Sequence, residues 1–138
     1  MCIRDRAFAN SPVAAVHALA YPLGGHFHVP HGLSNALVLP YVMEYNIPEA
    51  GNLYLEIADL IFPELKGKPE SGKLDNLLSL TAAISSDLGL ESKLSQVGVK
   101  SDDLELLATD AMKQERLLIN NPREMTFDAA FDIYQRAL

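Results

Sequence analysis

Apolar residues in this chain return at every third or fourth position, and no stretch alternates apolar with polar for long enough to make a strand. A chain with that period hides its hydrophobic surface by packing helix on helix, so the expected fold class is all-α. The 138 residues, 49% hydrophobic and 21% charged, suffice for one core, which makes the chain one compact domain or part of one.

Residues 7–20, AFANSPVAAVHALA, are small and apolar nearly all round, which predicts a buried helix that Pro22 ends. A Gly-bearing loop is expected over Leu23–Val29. Pro30 then opens a second helix, HGLSNALVLPYVMEYN, because proline suits a helix start. In PEAGNLYLEIADLIFPEL the core stripe is Leu53, Ile57, Leu60 and Ile61, stopped by Pro63. After the linker KGKPESG, a stripe of Leu74, Leu77, Leu78, Ile84 and Leu88 runs to a C-terminal cap at Gly89. Ser101 is placed as the cap of a helix whose core face is Leu104, Leu107, Ala108, Ala111 and Met112. Thr126 caps the last helix, FDAAFDIYQRAL. No internal repeat is present.

Charge and cysteine content narrow the function classes. A net charge of −7 disfavours a nucleic-acid surface or a polybasic membrane patch, since both need clustered Lys and Arg. No apolar run reaches the ~20 residues of a membrane span. The single cysteine, Cys2, closes no disulfide within the chain, which is what a reducing, cytoplasmic setting predicts. The opening MCIRDR resembles translated sequencing adapter, so residues 1–6 are expected to be foreign and residues 7–138 to be part of a longer protein.

All four histidines, His17, His26, His28 and His31, fall within fifteen consecutive residues beside Gly24, Gly25 and Gly32. His17, late in the first expected helix, and His31, at the start of the second, flank one loop and can face a common space. Imidazole is the commonest side-chain ligand of transition metals, so this pair is a candidate metal site; hydrogen-bonded packing is the alternative. Exposed loop positions suit His26 and His28 equally well. The spacing matches neither the His-x-x-x-His of zinc-protease helices nor a cysteine-based zinc pattern.

Across these residues, PVAAVHALAYPLGGHFHVPHGLSNALVLPYVMEYN resembles the signature of the iron-containing (group III) alcohol dehydrogenases, and the similarity continues through Asn121-Pro122-Arg123 to Leu138. That family joins a Rossmann-like cofactor domain to a helical metal-binding domain of the dehydroquinate synthase-like fold. The resemblance implies that this chain is the helical part, with the Rossmann-like half absent, as no G-x-G-x-x-G occurs. It further implies a metal, Fe2+ or Zn2+, bound by His17 and His31 together with an Asp-x-x-x-His pair on an earlier segment. A nicotinamide cofactor, NAD or NADP, would be bound mainly by the missing domain and bordered here by Gly24, Gly25 and His26.

The family carries a histidine four residues after its first motif ligand. This chain has Tyr21 there, so a phenol lines the substrate side and a histidine proton relay is not transferable. The implied activity is hydride transfer between NAD(P) and an alcohol or aldehyde in a homo-oligomeric parent, the isolated chain being inactive. Relatives acting on hydroxy acids, maleylacetate or polyols remain alternatives within the fold. A free-standing helical domain that binds metal or a partner through the histidine stretch is the alternative outside it.

Overall fold

The computed structural model describes residue 6 and residues 10–138. The expectation for Met1–Arg6 and the front of the helix expected from Ala7 fall largely on residues 1–5 and 7–9, outside the described residues. Among the described residues the structure is helical, without a strand: α1 (Ala15–Phe27), α2 (His31–Ile61), α3 (Glu70–Asp87), α4 (Leu104–Met112), α5 (Glu115–Leu118) and α6 (Phe127–Ala137). Short 3-10 turns at Pro63–Leu65, Leu94–Val97 and Ser101–Asp103 join them.

Helix α1 starts later and runs further than its sequence predicts. Residues 11–14 are not helical, consistent with Pro12 disfavouring a helical Ser11. Pro22 lies within the helix and is buried, and Gly24 and Gly25 are helical, not a loop. Proline removes one backbone donor, and burial of Ala15, Ala18, Leu19 and Leu23 outweighs that loss. The helix ends only at His28, whose φ of 55° is the left-handed conformation of a C-terminal cap, its N–H donating to the Leu23 carbonyl.

Helix α2 is one element of 31 residues, roughly 45 Å long, where two helices were expected. Pro40 and Pro48 both lie inside it. Its first half packs Leu37, Val38 and Val42 against α1 and α6, and its second half lies on α3. The second half is also turned from its expected face. Ala50, Gly51 and Ala58 are buried, whereas the expected core residues Leu53, Ile57, Leu60 and Ile61 are exposed, Leu60 to 81%. Small residues allow α3 to approach α2 closely, and Leu77 of α3 joins Ala58 and Leu65 in a small second core. Ile84 of α3 and Leu88, just after its end, stay exposed too, contrary to the stripe. Gly89 does take the left-handed φ of 70° after α3.

The main core lies between α1, α2, α4 and α6. Leu104, Leu107, Ala108 and Ala111 face it as expected, with Met112 half-buried. Ser101 makes no cap; the Asp103 carboxylate instead accepts from the Lys100 N–H at 2.9 Å. Thr126 does cap α6, its hydroxyl accepting from the Ala129 N–H at 3.2 Å. Tyr134, fully buried on α6, donates its hydroxyl to the Leu19 carbonyl at 2.6 Å. Burial holds that phenol far above its ordinary pKa, so it stays a donor at any working pH.

Two substitutions measure these ties. Tyr134→Phe removes a buried bond and leaves the Leu19 carbonyl short of a partner, for an expected loss of about 1–2 kcal/mol in urea unfolding. Thr126→Ala is expected to cost about 1 kcal/mol in the same measurement. A Tyr134→Phe midpoint equal to the parent's contradicts the anchoring role of the Leu19 contact.

Candidate metal centre

Two helix starts build the site. His17 sits in the first turn of α1 and is half-buried; His31 is the first residue of α2 and is exposed. The crossing of α1 and α2 brings their ring centres to 5.2 Å, with the planes 54° apart. One turn further along each helix a polar side chain adjoins the pair, as residues four apart share a helix face. On α1 that neighbour is Tyr21, 39% exposed, its ring 6.1 Å from the His31 ring. On α2 it is Asn35, whose Nδ2 lies 3.1 Å from Nε2 of His31.

The electrostatics favour neutral imidazole at His17. Burial lowers its pKa, and the neighbouring His31 lowers it further. A neutral ring keeps the lone pair that a metal requires. The Asn35 Oδ1 beside the pair is buried without a hydrogen-bond partner, in a wall that mixes apolar side chains with amides. That wall belongs to a cleft of ≈ 730 Å³ lined by His17, Asn35, Leu39, Met43, Asn46 and Asn121, among others.

This donor set fits part of a transition-metal site. His17 and His31 would be the residues to hold such an ion, since neutral imidazole is an ordinary ligand of iron and of zinc. Among the described residues no group of three or more His, Cys, Asp or Glu could hold an ion, so the pair needs further donors.

The other residues singled out by sequence lie apart. Gly24 and Gly25 occupy the final turns of α1, and a Cβ on Gly25 would meet nothing within 4 Å. His26, expected in a loop, is likewise helical, and its Nε2 lies 2.5 Å from Oδ2 of Asp110 on α4. Lys113 Nζ approaches the other carboxylate oxygen at 2.5 Å. Lys113 first, then His26, holds the Asp110 carboxyl below its ordinary pKa. Tyr21, Gly25 and His26 therefore edge a shallow cleft with Asp110, Lys113 and Gln114, next to the histidine pair and not part of it. His28 contributes through its backbone, as the cap of α1.

Sequence reasoning missed Asn35, whose signal was its place four residues after His31. It also missed Asp110, which lies 84 residues from its partner and carries no local signal.

Known proteins resemble this chain in sequence and fold. The family model described as "Fe-containing alcohol dehydrogenase family, C-terminal" matches residues 2–138. Lactaldehyde reductase of Escherichia coli (strain K12) is 32% identical over 135 residues, which are 98% of this chain and 35% of the reductase. Long-chain-alcohol dehydrogenase 1 of Geobacillus thermodenitrificans (strain NG80-2) is 36% identical over 131 residues, covering 95% of this chain and 33% of that protein. Among solved structures, an alcohol dehydrogenase from Oenococcus oeni superposes with a TM-score of 0.87 at 31% identity, over 96% of this chain and 34% of that one. The chain thus spans about a third of the length of these relatives. Its helical fold and its match from residue 2 to residue 138 show that it belongs to the Fe-containing alcohol dehydrogenase family, of which it represents the C-terminal region.

Proposed function

We propose that this chain is the metal-holding helical part of an alcohol dehydrogenase that moves hydride between NAD(P) and an alcohol or aldehyde, with His17 and His31 as two of the metal ligands. The observation that carries this reading is the convergence of the two imidazoles, 5.2 Å apart on helices that also wall an apolar cleft. The relatives, a lactaldehyde reductase and a long-chain-alcohol dehydrogenase among them, support the reaction class.

A bound Fe2+ or Zn2+ ion supplies Lewis acidity toward the substrate oxygen, while the nicotinamide exchanges hydride. The chain's own residues prepare that site. His17, partly desolvated, offers an unprotonated nitrogen at neutral pH. Asn35 contacts Nε2 of His31 from the next turn of α2, so binding of an ion by that nitrogen would displace the Asn35 amide. Tyr21, exposed beside the pair, is placed to donate a hydrogen bond from its phenol to a substrate oxygen. The helical surface around Gly25 and His26, with Gly24 half-buried behind it, is the face offered to the nicotinamide-bearing half.

In the full-length protein, His17→Ala and His31→Ala are each expected to reduce bound metal to a small fraction of the parent's and to lower turnover at least ~100-fold. Elemental analysis of the purified variants decides the assignment, and unchanged metal content removes it. The 138-residue chain by itself is expected to give no alcohol-dependent reduction of NAD or NADP. Absorbance of the reduced nicotinamide measures this, and a signal above the no-protein control overturns it.

A further inference from the structure

The Asn121-Pro122-Arg123 element plays no direct part in the histidine pair, yet residues 120–124 are bonded far more heavily than a connector requires. The Asn121 carboxamide donates to Oδ1 of Asn46 at 2.8 Å and accepts from Nδ2 of Asn46 at 3.0 Å, a reciprocal pair between this loop and the middle of α2. Asn46 is 4% exposed, so breaking the pair strands buried amide groups. Nδ2 of Asn121 also donates to the Arg123 carbonyl at 2.6 Å, which fixes the turn around Pro122. Arg123 then donates from Nη1 to the Tyr45 carbonyl at 2.9 Å, and its guanidinium carbon stands 4.1 Å from the centre of the Tyr45 ring. Tyr45 answers by donating its hydroxyl to the Glu124 carbonyl at 2.5 Å.

The same loop reaches the other histidine-bearing helix. Nδ2 of Asn120 donates to the Val13 carbonyl at 3.2 Å, just ahead of α1 and four residues before His17. One five-residue segment thus holds both the entry to α1 and the middle of α2.

Two crossing helices need two points of attachment to fix their setting. The first is the connection His28–Pro30, where the Ser34 hydroxyl donates to the Val29 and Pro30 carbonyls, both at 3.2 Å. His17 lies ten residues back along α1, roughly 15 Å from that connection. On such an arm a pivot of about 4° moves the ring by ~1 Å, whereas a metal site tolerates about 0.2 Å in its ligand distances. The connection by itself is therefore too soft a hinge to set a ligand pair, and what remains falls to core packing around Ala15, Ala18, Leu19 and Leu23 and to the loop 120–124 at the far end.

We propose that Asn120–Glu124 is a clamp that fixes the crossing of α1 and α2, with Asn121 and Arg123 as positioning residues for the His17–His31 pair. Its consequence for metal binding rests on the reading of that pair as ligands; the clamp itself does not. Neither residue touches the rings, so both act through the setting of the helices.

The test uses the 138-residue chain and the variants Asn121→Ala and Arg123→Lys, with three readouts: urea unfolding, the nuclear Overhauser contact between the His17 and His31 ring protons, and Zn2+ affinity by calorimetry. In folded variants the ring contact is expected to weaken or vanish and zinc affinity to fall at least tenfold. Folded variants that keep the ring contact and bind zinc within twofold of the parent overturn the proposal, whatever their loss of stability. Should Asn121→Ala fail to fold, Arg123→Lys, which retains the charge, decides by the same two readouts. Loss of the ring contact in the clamp variants, with zinc binding indifferent even to His17→Ala and His31→Ala, upholds the clamp and removes the ligand assignment. Zinc binding that depends on the histidines but not on the clamp, with the ring contact kept, does the reverse.

Discussion

Helix α1 contains no acidic residue, lysine or arginine, and such a helix persists in water only where other elements cover it on several sides. Here α2, α4 and α5 pack against it and Tyr134 of α6 reaches it, with Ala15, Ala18, Leu19 and Leu23 withdrawn from solvent. The Tyr134 hydroxyl on the Leu19 carbonyl anchors the arrangement from the far end of the chain. Everything proposed for the site depends on this burial, because α1 carries His17 and Tyr21 and ends in the cap that turns the chain toward His31.

Burial also explains why signals that usually stop helices fail here. Pro22, Pro40 and Pro48 each remove one backbone donor, and Gly24 and Gly25 weaken α1 further. Those losses are local and of order a few kcal/mol each. A helix face locked into a core recovers more than that from apolar area withdrawn from water, so the helices run through. At His28 the chain finally takes a left-handed turn, which lets α2 start beside α1 and not far from it.

The two ends of the molecule differ in how completely they are covered. The main core closes over α1, α4 and α6, whereas the second half of α2 and the end of α3 leave Leu53, Leu60, Ile61, Ile84 and Leu88 open to solvent. The apolar cleft that reaches His17 runs along this open side. The histidine pair therefore sits at the junction between a finished core and an unfinished one.

Several features were legible in the sequence because they rest on interactions within about four residues: the helical period, the Thr126 cap, the left-handed Gly89 and the core face of α4. The motif around His17 and His31 also marked the right family. Which face of α2 turns inward was not legible, since Leu53 and Ala58 are both compatible with a helix and only the approach of α3 selects the smaller residue. The 5.2 Å meeting of His17 with His31, the Asp110 carboxylate beside His26, and the Asn46–Asn121 pair were likewise decided by tertiary structure alone. Local sequence determines which segments can be helices and what chemistry they carry; how helices cross is set by burial and by hydrogen bonds between residues far apart in the chain, and that crossing brings the two histidine rings within 5.2 Å.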